Sequence, residues 1–459
     1  MMKAILSTSL IIVIFLTNVQ AQIQVKSKII DKESQKAIPF ANISVAETTK
    51  GTISNKEGDF QLYIPMVGLN TRVLISSLGY QSISIHPKKI GNKIELIPVS
   101  YDISEVKVSA SKLMSDPKKI LKECMKAAPN FKPDQPYINK GFLRQTSLLD
   151  KKYMKLIEAA LFTYATPEEP KIKVHILEKR NTFDNREIDA KNLYFFKQWK
   201  EVRYKKAQKN SKNYNPSKEE LLQLVRDTDE ERNSIANLRR LKTAHQAKIG
   251  DMWHDLKKIY KSNFHQIKLD TILDLDGERM YKLKILPTPK ELKESSDIRL
   301  GHILISTKDF ALYELKIGDF KNPKVKSRLY MSYYCILKYK KYQGKLYPTY
   351  YKSFGRDFAG FTSNMGDLNN KKRKSPHLIK EFLFTEIIDQ ADQVSKMLPQ
   401  KWNDKLYEPS EYHPEFWENY TILLETKDEA KLRTDLEAEV SLKEQYQHAA
   451  DSIRINQIN

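Results

Sequence analysis

The stretch GTISNKEGDFQLYIP, residues 51–65, decides how the first part of the chain is interpreted. Asn55, Glu57 and Asp59 surround Gly58, a pattern open to three readings: a metal loop, a catalytic carboxylate site, or a turn between two strands. An EF-hand loop needs oxygen ligands at positions 1, 3 and 5, glycine at 6 and a bidentate glutamate at 12. Here Gly58 precedes Asp59, and no acidic residue stands at the closing position. Residues 54–58 are therefore predicted to form a tight turn, because asparagine and glycine tolerate a positive φ.

Short runs of alternating apolar residues flank this turn on both sides. Phe60, Leu62 and Ile64 alternate with polar residues after it, and Ile43 and Val45 do so before it. Further runs of this kind lie at 23–29, 73–75, 83–85, 94–96 and 106–108. About seven short strands separated by turn signals are typical of a β-sandwich. The sequence therefore predicts an all-β N-terminal sandwich over residues 22–110.

Four segments of this region carry a family resemblance: IPFANISV at 38–45, GTISNKEGDFQLYIP at 51–65, LISSLGYQSISI at 74–85 and IELIPVSYDISEVKVSA at 94–110. Together they resemble the carboxypeptidase-regulatory-like domain that begins many exported proteins of the Bacteroidota, including TonB-dependent outer-membrane receptors. The resemblance implies a transthyretin-like sandwich without zinc ligands or protease chemistry. Asn55 stands where the family commonly has an acidic residue, which weakens the metal hypothesis further.

The first residues have the pattern of a secretory signal peptide. Lys3 precedes an apolar run at 4–16, and a small-residue motif ends at Ala21, before Gln22. We therefore predict a signal peptide over 1–21 and an exported protein of the periplasm or the outer membrane. No later run approaches the ~20 apolar residues of a membrane-spanning helix.

The formal net charge of +21 predicts attraction to acidic surfaces. In an exported protein these are anionic lipid or glycan surfaces, and nucleic acid is not an expected partner. The expected protein partner is another envelope or outer-membrane protein. Two basic segments, residues 197–212 and 371–374, could bind such a surface or be solvated loops and helix faces, and the second interpretation is favoured.

The rest of the chain is predicted to be an α+β domain after a helical linker at 111–136. Asp116 and Pro117 cap a helix at 117–128. Between 137 and 395 a curved antiparallel sheet is predicted from strand-like runs at 141–149, 153–165, 266–275, 279–286, 301–306, 311–317, 327–338, 344–354 and 381–388. A charged helical insertion is expected at about 195–262, where Ser217 and Glu220 form a capping box.

The C-terminal segment, residues 396–459, is predicted to contain an aromatic turn and an amphipathic helix. The turn lies at 414–420, where Phe416 and Trp417 are expected to fix the segment to the sheet. In the helix, Leu432, Leu436 and Val440 recur at four-residue spacing and form one apolar face.

Two groups of residues in the second domain leave alternatives open. Cys124 and Cys335 could form one disulfide in an exported protein, although buried thiols are favoured. The tyrosines between Tyr330 and Tyr351 could line an amphipathic cavity, or they could occupy ordinary strand positions. The second interpretation is favoured.

No residue is predicted to be catalytic, to hold a cofactor or to bind a metal. The glycines contain no G-x-G pair, no GK[ST] follows a glycine loop, and the motifs G-x-S-x-G, H-E-x-x-H and C-x-x-C are missing. His245 and His254 are too far apart for one helix face, and His413 is interpreted as a packing residue. Because these motifs are missing, the protein is predicted not to be an enzyme. A glycan hydrolase would need two convergent carboxylates, and no local pattern singles out such a pair.

Three functions stay open. The favoured one is a non-enzymatic envelope protein that binds or docks through its sandwich and its sheet domain. The second is a periplasmic lipid or lipoprotein carrier, because GHILISTKDFALYELKIGDF at 301–320 resembles the paired strands of lipoprotein-carrier folds. A predominantly apolar inner face on these strands would favour the carrier. The third is an accessory component of TonB-dependent outer-membrane uptake.

Overall fold

The computed structural model describes most of the chain. The described residues are 22–65, 70–99, 113–149, 151–169, 172–186, 197, 217–232, 252–262, 265–295, 297–322, 333–356, 377–408 and 410–448. Several predicted features lie outside them: the signal peptide at 1–21, the strand at 106–108, the basic segments apart from Lys197, His245, Tyr330 and the end of the tail after residue 448.

The N-terminal part is a β-sandwich, as predicted. Its strands are β1 (Gln22–Asp31), β2 (Asn42–Val45), β3 (Gly51–Ile53), β4 (Asp59–Pro65), β5 (Val73–Ser76), β6 (Ile83–Ile85) and β7 (Lys93–Leu96). One sheet has the order β4-β1-β7 and the other the order β3-β2-β5-β6. The alternating apolar residues meet between the sheets, where Ile29, Ile43, Phe60 and Ile75 are almost completely buried. The short strand β3 was not among the predicted runs.

The predicted helix after the sandwich is α1 (Pro117–Ala127), and its cap is the predicted one. The Asp116 carboxylate accepts hydrogen bonds from the backbone N–H groups of Lys118 and Lys119 at 2.9 and 3.2 Å. Pro117 occupies the first turn, where the missing N–H costs nothing because that group has no partner within a helix.

The second part is built on one ten-stranded antiparallel sheet, which confirms the predicted fold class. Its strands are β8 (Tyr137–Leu149), β9 (Lys152–Ala165), β10 (Lys173–Asn181), β11 (His265–Leu275), β12 (Glu278–Pro287), β13 (Asp297–Ser306), β14 (Leu312–Lys321), β15 (Tyr333–Tyr342), β16 (Lys345–Arg356) and β17 (His377–Ile388). They lie in the order β10-β9-β8-β17-β16-β15-β14-β13-β12-β11. Strand β10 was missed by the sequence analysis.

The remaining helices are short. They are α2 (Lys218–Arg232), α3 (Met252–Lys261), α4 (Pro289–Glu294), α5 (Ala391–Met397), α6 (Pro414–Glu418), α7 (Lys427–Leu436) and α8 (Leu442–His448). The predicted capping box begins α2, because Ser217 Oγ accepts from the Glu220 N–H at 3.2 Å and the Glu220 carboxylate accepts from the Ser217 N–H at 2.9 Å. Within the described residues, no helix is both long and apolar enough to cross a membrane.

One face of the large sheet is apolar and is covered by helices α1 and α3. Ile120 and Leu121 of α1 and Leu256 and Ile259 of α3 belong to the same buried cluster as the sheet residues beneath them. Those sheet residues include Leu143, Ile157, Leu283, Ile303, Ile317, Leu337 and Phe382. The inner face of strands β13–β16 is thus predominantly apolar, which is the feature that the sequence analysis named as favouring a carrier.

The opposite face of the sheet is covered by the sandwich and by the C-terminal segment. Ile53 of β3, Trp417 of α6 and Leu423 pack there against Phe142 and Tyr350 of the sheet. The aromatic rings of Phe142 and Trp417 meet edge to face, with centroids 6.3 Å apart. The prediction that Phe416 and Trp417 fix the tail to the sheet is confirmed.

The single C-terminal amphipathic helix was a wrong prediction, since the structure has two helices there. Leu432 and Leu436 of α7 and Leu442 and Tyr446 of α8 are buried against β9, but Val440 lies between the helices and is half-exposed. Ser441 starts α8, because its Oγ accepts from the Glu444 N–H at 3.3 Å. A serine in this role favours a new helix start over continuation.

The tyrosines of β15 and β16 are divided between the two faces of the sheet. Tyr347 and Tyr351 belong to the helix-covered core, whereas Tyr350 belongs to the cluster beneath the sandwich. Neither cysteine takes part in a disulfide, and both are buried. Burial raises the pKa of the Cys124 thiol to about 12, so this thiol stays protonated.

Candidate functional site

A cavity of about 510 Å³ lies where the sandwich meets the large sheet. We call it the junction cleft. Its roof is formed by strands β2 and β5 of the sandwich, and its floor by the β11–β12 turn and the ends of β15, β16 and β17. Ligand pockets in proteins usually occupy about 300–1,000 Å³ and often lie between domains.

The roof of the junction cleft follows from the alternation of strand β2. Ile43 and Val45 are buried in the sandwich core, so Ser44 between them faces the other way and lines the cleft. Ser44 is directly opposite Leu74 of β5 in the register of the two strands. Leu74 also lines the cleft and keeps 39% of its surface exposed.

The floor of the junction cleft combines apolar side chains with lysines and carboxylates. Leu275 supplies an apolar side chain to this lining, whereas Tyr339, Phe384 and Ile387 line the cleft although their side chains belong to the core on the helix-covered face of the sheet. Its polar part includes Asp276, Glu278, Lys340, Lys341 and Glu386. A cavity lined in this way suits a molecule that has both an apolar and a polar end.

Two carboxylates of the floor are already held by neighbouring groups. Glu278 accepts hydrogen bonds from the hydroxyls of Ser306 and Tyr313 and lies 3.5 Å from the Lys341 ammonium. Glu386 lies between Lys50 of the sandwich at 3.5 Å and Lys140 of β8 at 3.2 Å. These acids therefore stabilise the floor and the junction between the two parts.

Several hydrogen bonds hold the sandwich against the sheet around this cleft. Thr49 Oγ1 donates to the Ile387 carbonyl at 2.6 Å, and the Gly79 N–H donates to the Asp274 carbonyl at 3.0 Å. Lys338 Nζ donates to the Phe40 carbonyl at 2.9 Å. Because these contacts lie on different strands, they fix the roof over the floor.

A row of alternating charges crosses the same face of the sheet, beside the cleft. In the register of the strands, Arg180 of β10, Glu158 of β9, Arg144 of β8, Glu381 of β17 and Lys352 of β16 are successive neighbours. A second cavity of about 220 Å³ lies over its middle. Each charge has an oppositely charged partner, for example Arg144 with Glu158 at 2.8 Å and Lys352 with Glu381 at 3.1 Å. We interpret this charge row as structural.

The polar residues of the opening motif hold the turn together. Asn55 Oδ1 accepts hydrogen bonds from the backbone N–H groups of Glu57 and Asp59 at 3.0 and 2.9 Å, and Gly58 has φ +82°. Asp59 pairs with Lys28 at 3.2 Å. The predicted turn is confirmed. Among the described residues, no group of three or more His, Cys, Asp or Glu side chains could hold a metal ion.

Asn55 has a second role that the sequence did not indicate. Its Nδ2 donates to the carbonyls of Leu424 and Glu425 in the C-terminal segment, at 3.4 and 3.1 Å. The side chain is almost completely buried. The turn of the sandwich is therefore also an attachment point for the tail.

We expect Asn55→Asp to lower the free energy of unfolding by about 1–3 kcal/mol, because the buried carbonyls lose their donor and face a carboxylate instead. Chemical denaturation at neutral pH measures this change. Adding calcium to the variant should not restore stability. Asp59→Asn is the matched control in the same turn and should cost less, since about 40% of each side chain in its pair with Lys28 is exposed to solvent. Equal losses in the two variants would contradict the role of the amide.

His413 is not the packing residue that the sequence analysis expected. Half of its side chain is exposed, and its Nδ1 lies 2.9 Å from the Glu178 carboxylate of β10. This contact raises the pKa of His413. The histidine therefore belongs to the set of polar contacts between the tail and the sheet.

The residues of the junction cleft were missed by the sequence analysis. One signal was available: strand β5 reads VLIS, so Leu74 breaks the alternation with an apolar residue on the outward face. Such a residue indicates that something covers that face of the strand. Nothing comparable marks Lys340, which is one of several lysines on its hairpin.

The fold and the cleft define a two-part protein, in which a small β-sandwich is held against a ten-stranded antiparallel sheet. Residues 25–109 match the family model of the CarboxypepD_reg-like domain. The sandwich is therefore a carboxypeptidase-regulatory-like domain, as its motifs predicted. No curated protein matches the chain in sequence.

Solved structures of low similarity match about three fifths of this chain. A LolA superfamily protein from Nitrosomonas europaea is 10% identical with a TM-score of 0.22, and the match covers 61% of this chain and 97% of that chain. A protein described as an outer membrane lipoprotein-sorting domain from Vibrio parahaemolyticus is 8% identical with a TM-score of 0.21, covering 62% and 96%. TM-scores of this size carry no argument about fold or function.

Proposed function

We propose that this chain is an exported, non-enzymatic envelope protein that binds a small amphipathic molecule in the junction cleft. The observation that carries the proposal is the cleft itself, a cavity of about 510 Å³ with apolar and charged walls between two parts of one chain. The carboxypeptidase-regulatory-like domain would then serve as one wall of the binding site. Export is supported by the signal-like pattern of residues 1–21.

The polar contacts of the cleft support binding rather than catalysis. Glu278 and Glu386, two carboxylates of the floor, are held by lysines and hydroxyls that belong to the fold. A general acid or base would need a carboxyl group directed at a substrate with its pKa adjusted by its surroundings. These two acids are instead used to hold the walls together.

A lipid or lipoprotein carrier is the second candidate, because the helix-covered face of the sheet is predominantly apolar. In that case the ligand would lie beneath α1 and α3 and would have to displace their apolar side chains. A role as an accessory of TonB-dependent uptake, and docking on another envelope protein, stay predictions of the sequence. One face of the sandwich is already occupied by this chain's own sheet.

The neutral fluorescent probe N-phenyl-1-naphthylamine tests the proposal. We expect the purified protein to bind it, and Ser44→Trp to weaken binding about tenfold or more, because the indole fills the cleft. Ser44 faces the cleft, so this substitution leaves the sandwich core intact. A fluorescence titration of both proteins gives the two dissociation constants.

The matched control is Ser34→Trp, the same substitution at an exposed position of the sandwich that does not line the cleft. It should bind the probe as the unaltered protein does. If Ser44→Trp also binds normally, the junction cleft is not the site, and the helix-covered face of the carrier hypothesis becomes the leading candidate.

A further inference from the structure

The lysines of the β15–β16 hairpin differ in one respect, which is whether a carboxylate neutralises them. Four of them form ion pairs: Lys338 with Glu314 at 3.4 Å, Lys341 with Asp309 at 2.7 Å, Lys345 with Asp134 at 3.0 Å and Lys352 with Glu381 at 3.1 Å. In each of these pairs a carboxylate neutralises the lysine ammonium group.

Lys340 is the exception on this hairpin. It lines the junction cleft and is half-buried, and it makes no hydrogen bond or ion pair with any residue in the described part of the chain. Burial lowers the pKa of Lys340, and Asp276 offsets this effect only in part. A partly desolvated ammonium without a counter-ion is unfavourable. An anion that enters the cleft would therefore be stabilised by pairing with the Lys340 ammonium.

None of the four acids that line the cleft lies within ion-pair distance of Lys340. Glu278 and Glu386 are held by Lys341 and by Lys50 and Lys140, as described above. Asp276 accepts a hydrogen bond from Ser82 of the sandwich at 3.5 Å. Glu47, the fourth acid of the lining, is exposed at the roof. Of the two lysines that line the cleft, Lys340 is therefore the one that has no carboxylate within ion-pair distance among the described residues.

The cleft also has apolar residues on both of its walls. Leu74 belongs to β5 of the sandwich roof and keeps 39% of its surface exposed, and Leu275 belongs to β11 of the floor. A ligand that spans the cleft would place an apolar chain or ring against these residues and an acidic head group at the lysine. Such a ligand would bury its apolar part and neutralise its acidic group in the same cleft.

We propose that the junction cleft binds an amphipathic anion, whose carboxylate or phosphate group pairs with the Lys340 ammonium while its apolar part lies against Leu74 and Leu275. This inference rests on the proposed function, since it names the class of ligand that the same cleft would take. Charge-assisted hydrogen bonds to a lysine are among the stronger polar contacts in proteins. The head group thus determines which amphipathic molecules the cleft prefers.

Two probes that differ mainly by one charge test this inference on the whole mature protein. 8-Anilinonaphthalene-1-sulfonate is the anionic counterpart of the neutral N-phenyl-1-naphthylamine. We expect Lys340→Met to weaken binding of the anionic probe about tenfold to a hundredfold, and binding of the neutral probe less than about twofold. Lys340→Arg should keep most of the affinity for the anion, because it keeps the charge.

Lys268→Met is the matched control, because it removes the same charge from an exposed position of strand β11. It should leave both titrations unchanged. If Lys340→Met weakens neither probe, weakens both equally, or acts no more strongly than Lys268→Met, the inference is overturned. Failure of the proposed function looks different, since Ser44→Trp would then leave binding of the neutral probe intact. Unchanged binding of the neutral probe by Lys340→Met also shows that this variant is folded.

Displacement of the bound anionic probe separates the two head groups. Decanoate and decyl phosphate share a chain and differ in the acidic group, so the stronger competitor identifies a carboxylate or a phosphate ligand. Displacement by at least one of them, lost in Lys340→Met, is the expected result. If neither displaces the probe below the concentration at which it forms micelles, an amphipathic anion is not the ligand.

Discussion

Replacing Arg144 by methionine is expected to lower the free energy of unfolding by about 3–5 kcal/mol. Its guanidinium lies 2.8 Å from Glu158 and 3.3 Å from Glu429, and it donates to the Leu423 carbonyl at 2.9 Å. Only 5% of the Arg144 side chain is exposed. Methionine fills similar space but removes one of the two arginines that neutralise the buried Glu158, which keeps Arg180, and it removes the ion pair of Glu429. Urea unfolding at pH 7, followed by circular dichroism, measures the loss.

Arg433→Met is the control for this experiment. Arg433 also makes two contacts with one carboxylate, since its Nε and Nη2 donate to Glu425 at 2.8 and 3.0 Å. However, 53% of its side chain is exposed, and exposed pairs contribute about 1 kcal/mol or less. Losses of similar size in the two variants would show that burial does not determine how much the ion pairs of the charge row contribute to stability.

The pH dependence of the Arg144 effect has a definite sign. Burial raises the pKa of Glu158, but Arg144 and Arg180 outweigh it and leave the pKa below its ordinary value. A carboxylate with a depressed folded pKa stabilises the fold above its unfolded pKa, and this contribution is lost as the pH falls through the folded value. The difference between the unaltered protein and Arg144→Met should therefore narrow below about pH 4.3. A difference that widens in acid would contradict the ion-pair explanation.

Replacing Trp417 by alanine is expected to cost about 3–5 kcal/mol, because the indole is a large buried anchor of the C-terminal segment. It is 7% exposed, it packs edge to face on Phe142, and the Arg180 guanidinium lies 4.5 Å from the centroid of one of its rings. Its removal leaves a cavity and takes away one of the two aromatic rings that Arg180 contacts, the other being that of Tyr446. Chemical denaturation measures the cost, and limited proteolysis should show earlier cleavage of the tail.

Leu398→Ala is the control for the tryptophan, since Leu398 is an apolar residue that stays 38% exposed. Its removal should change stability by about 0.5 kcal/mol or less. If Trp417→Ala is equally mild and the tail stays protected from protease, the aromatic turn does not hold the segment to the sheet. The contacts of α7 and α8 with β9 would then have to do so by themselves.

The strands and turns that follow local rules could be predicted from the sequence. Residues 51–65 contain both the alternation of Phe60, Leu62 and Ile64 and the residues Asn55 and Gly58 that a tight turn requires. The cap of α1 at Asp116 and the hairpin between β8 and β9 are equally local. In each case the deciding interaction lies within a few residues, so the pattern is visible in the linear chain.

Strand β10 and the break before α8 could not be predicted in this way. β10 contains the charged residues Lys179 and Arg180, which are tolerated because Lys179 donates to the Lys405 and Glu408 carbonyls and Arg180 pairs with Glu158. Burial lowers the pKa of Lys179 to about 8. At the break, Gln445 Nε2 donates to the carbonyls of Leu436 and Val440, which replaces the backbone bonds that a continuous helix would make.

By itself the sequence determined most of the strands, the cap of α1 and the identity of the first module, because alternation, turn residues and caps act over a few positions. Only the tertiary structure decided what these elements do together. Asn55 reaches the carbonyls of a segment far along the chain, and Lys340 lies without a counter-ion in a cleft that exists only after the sandwich packs on the sheet. A side chain's partners in space, and therefore its charge balance, depend on residues that no local pattern brings together.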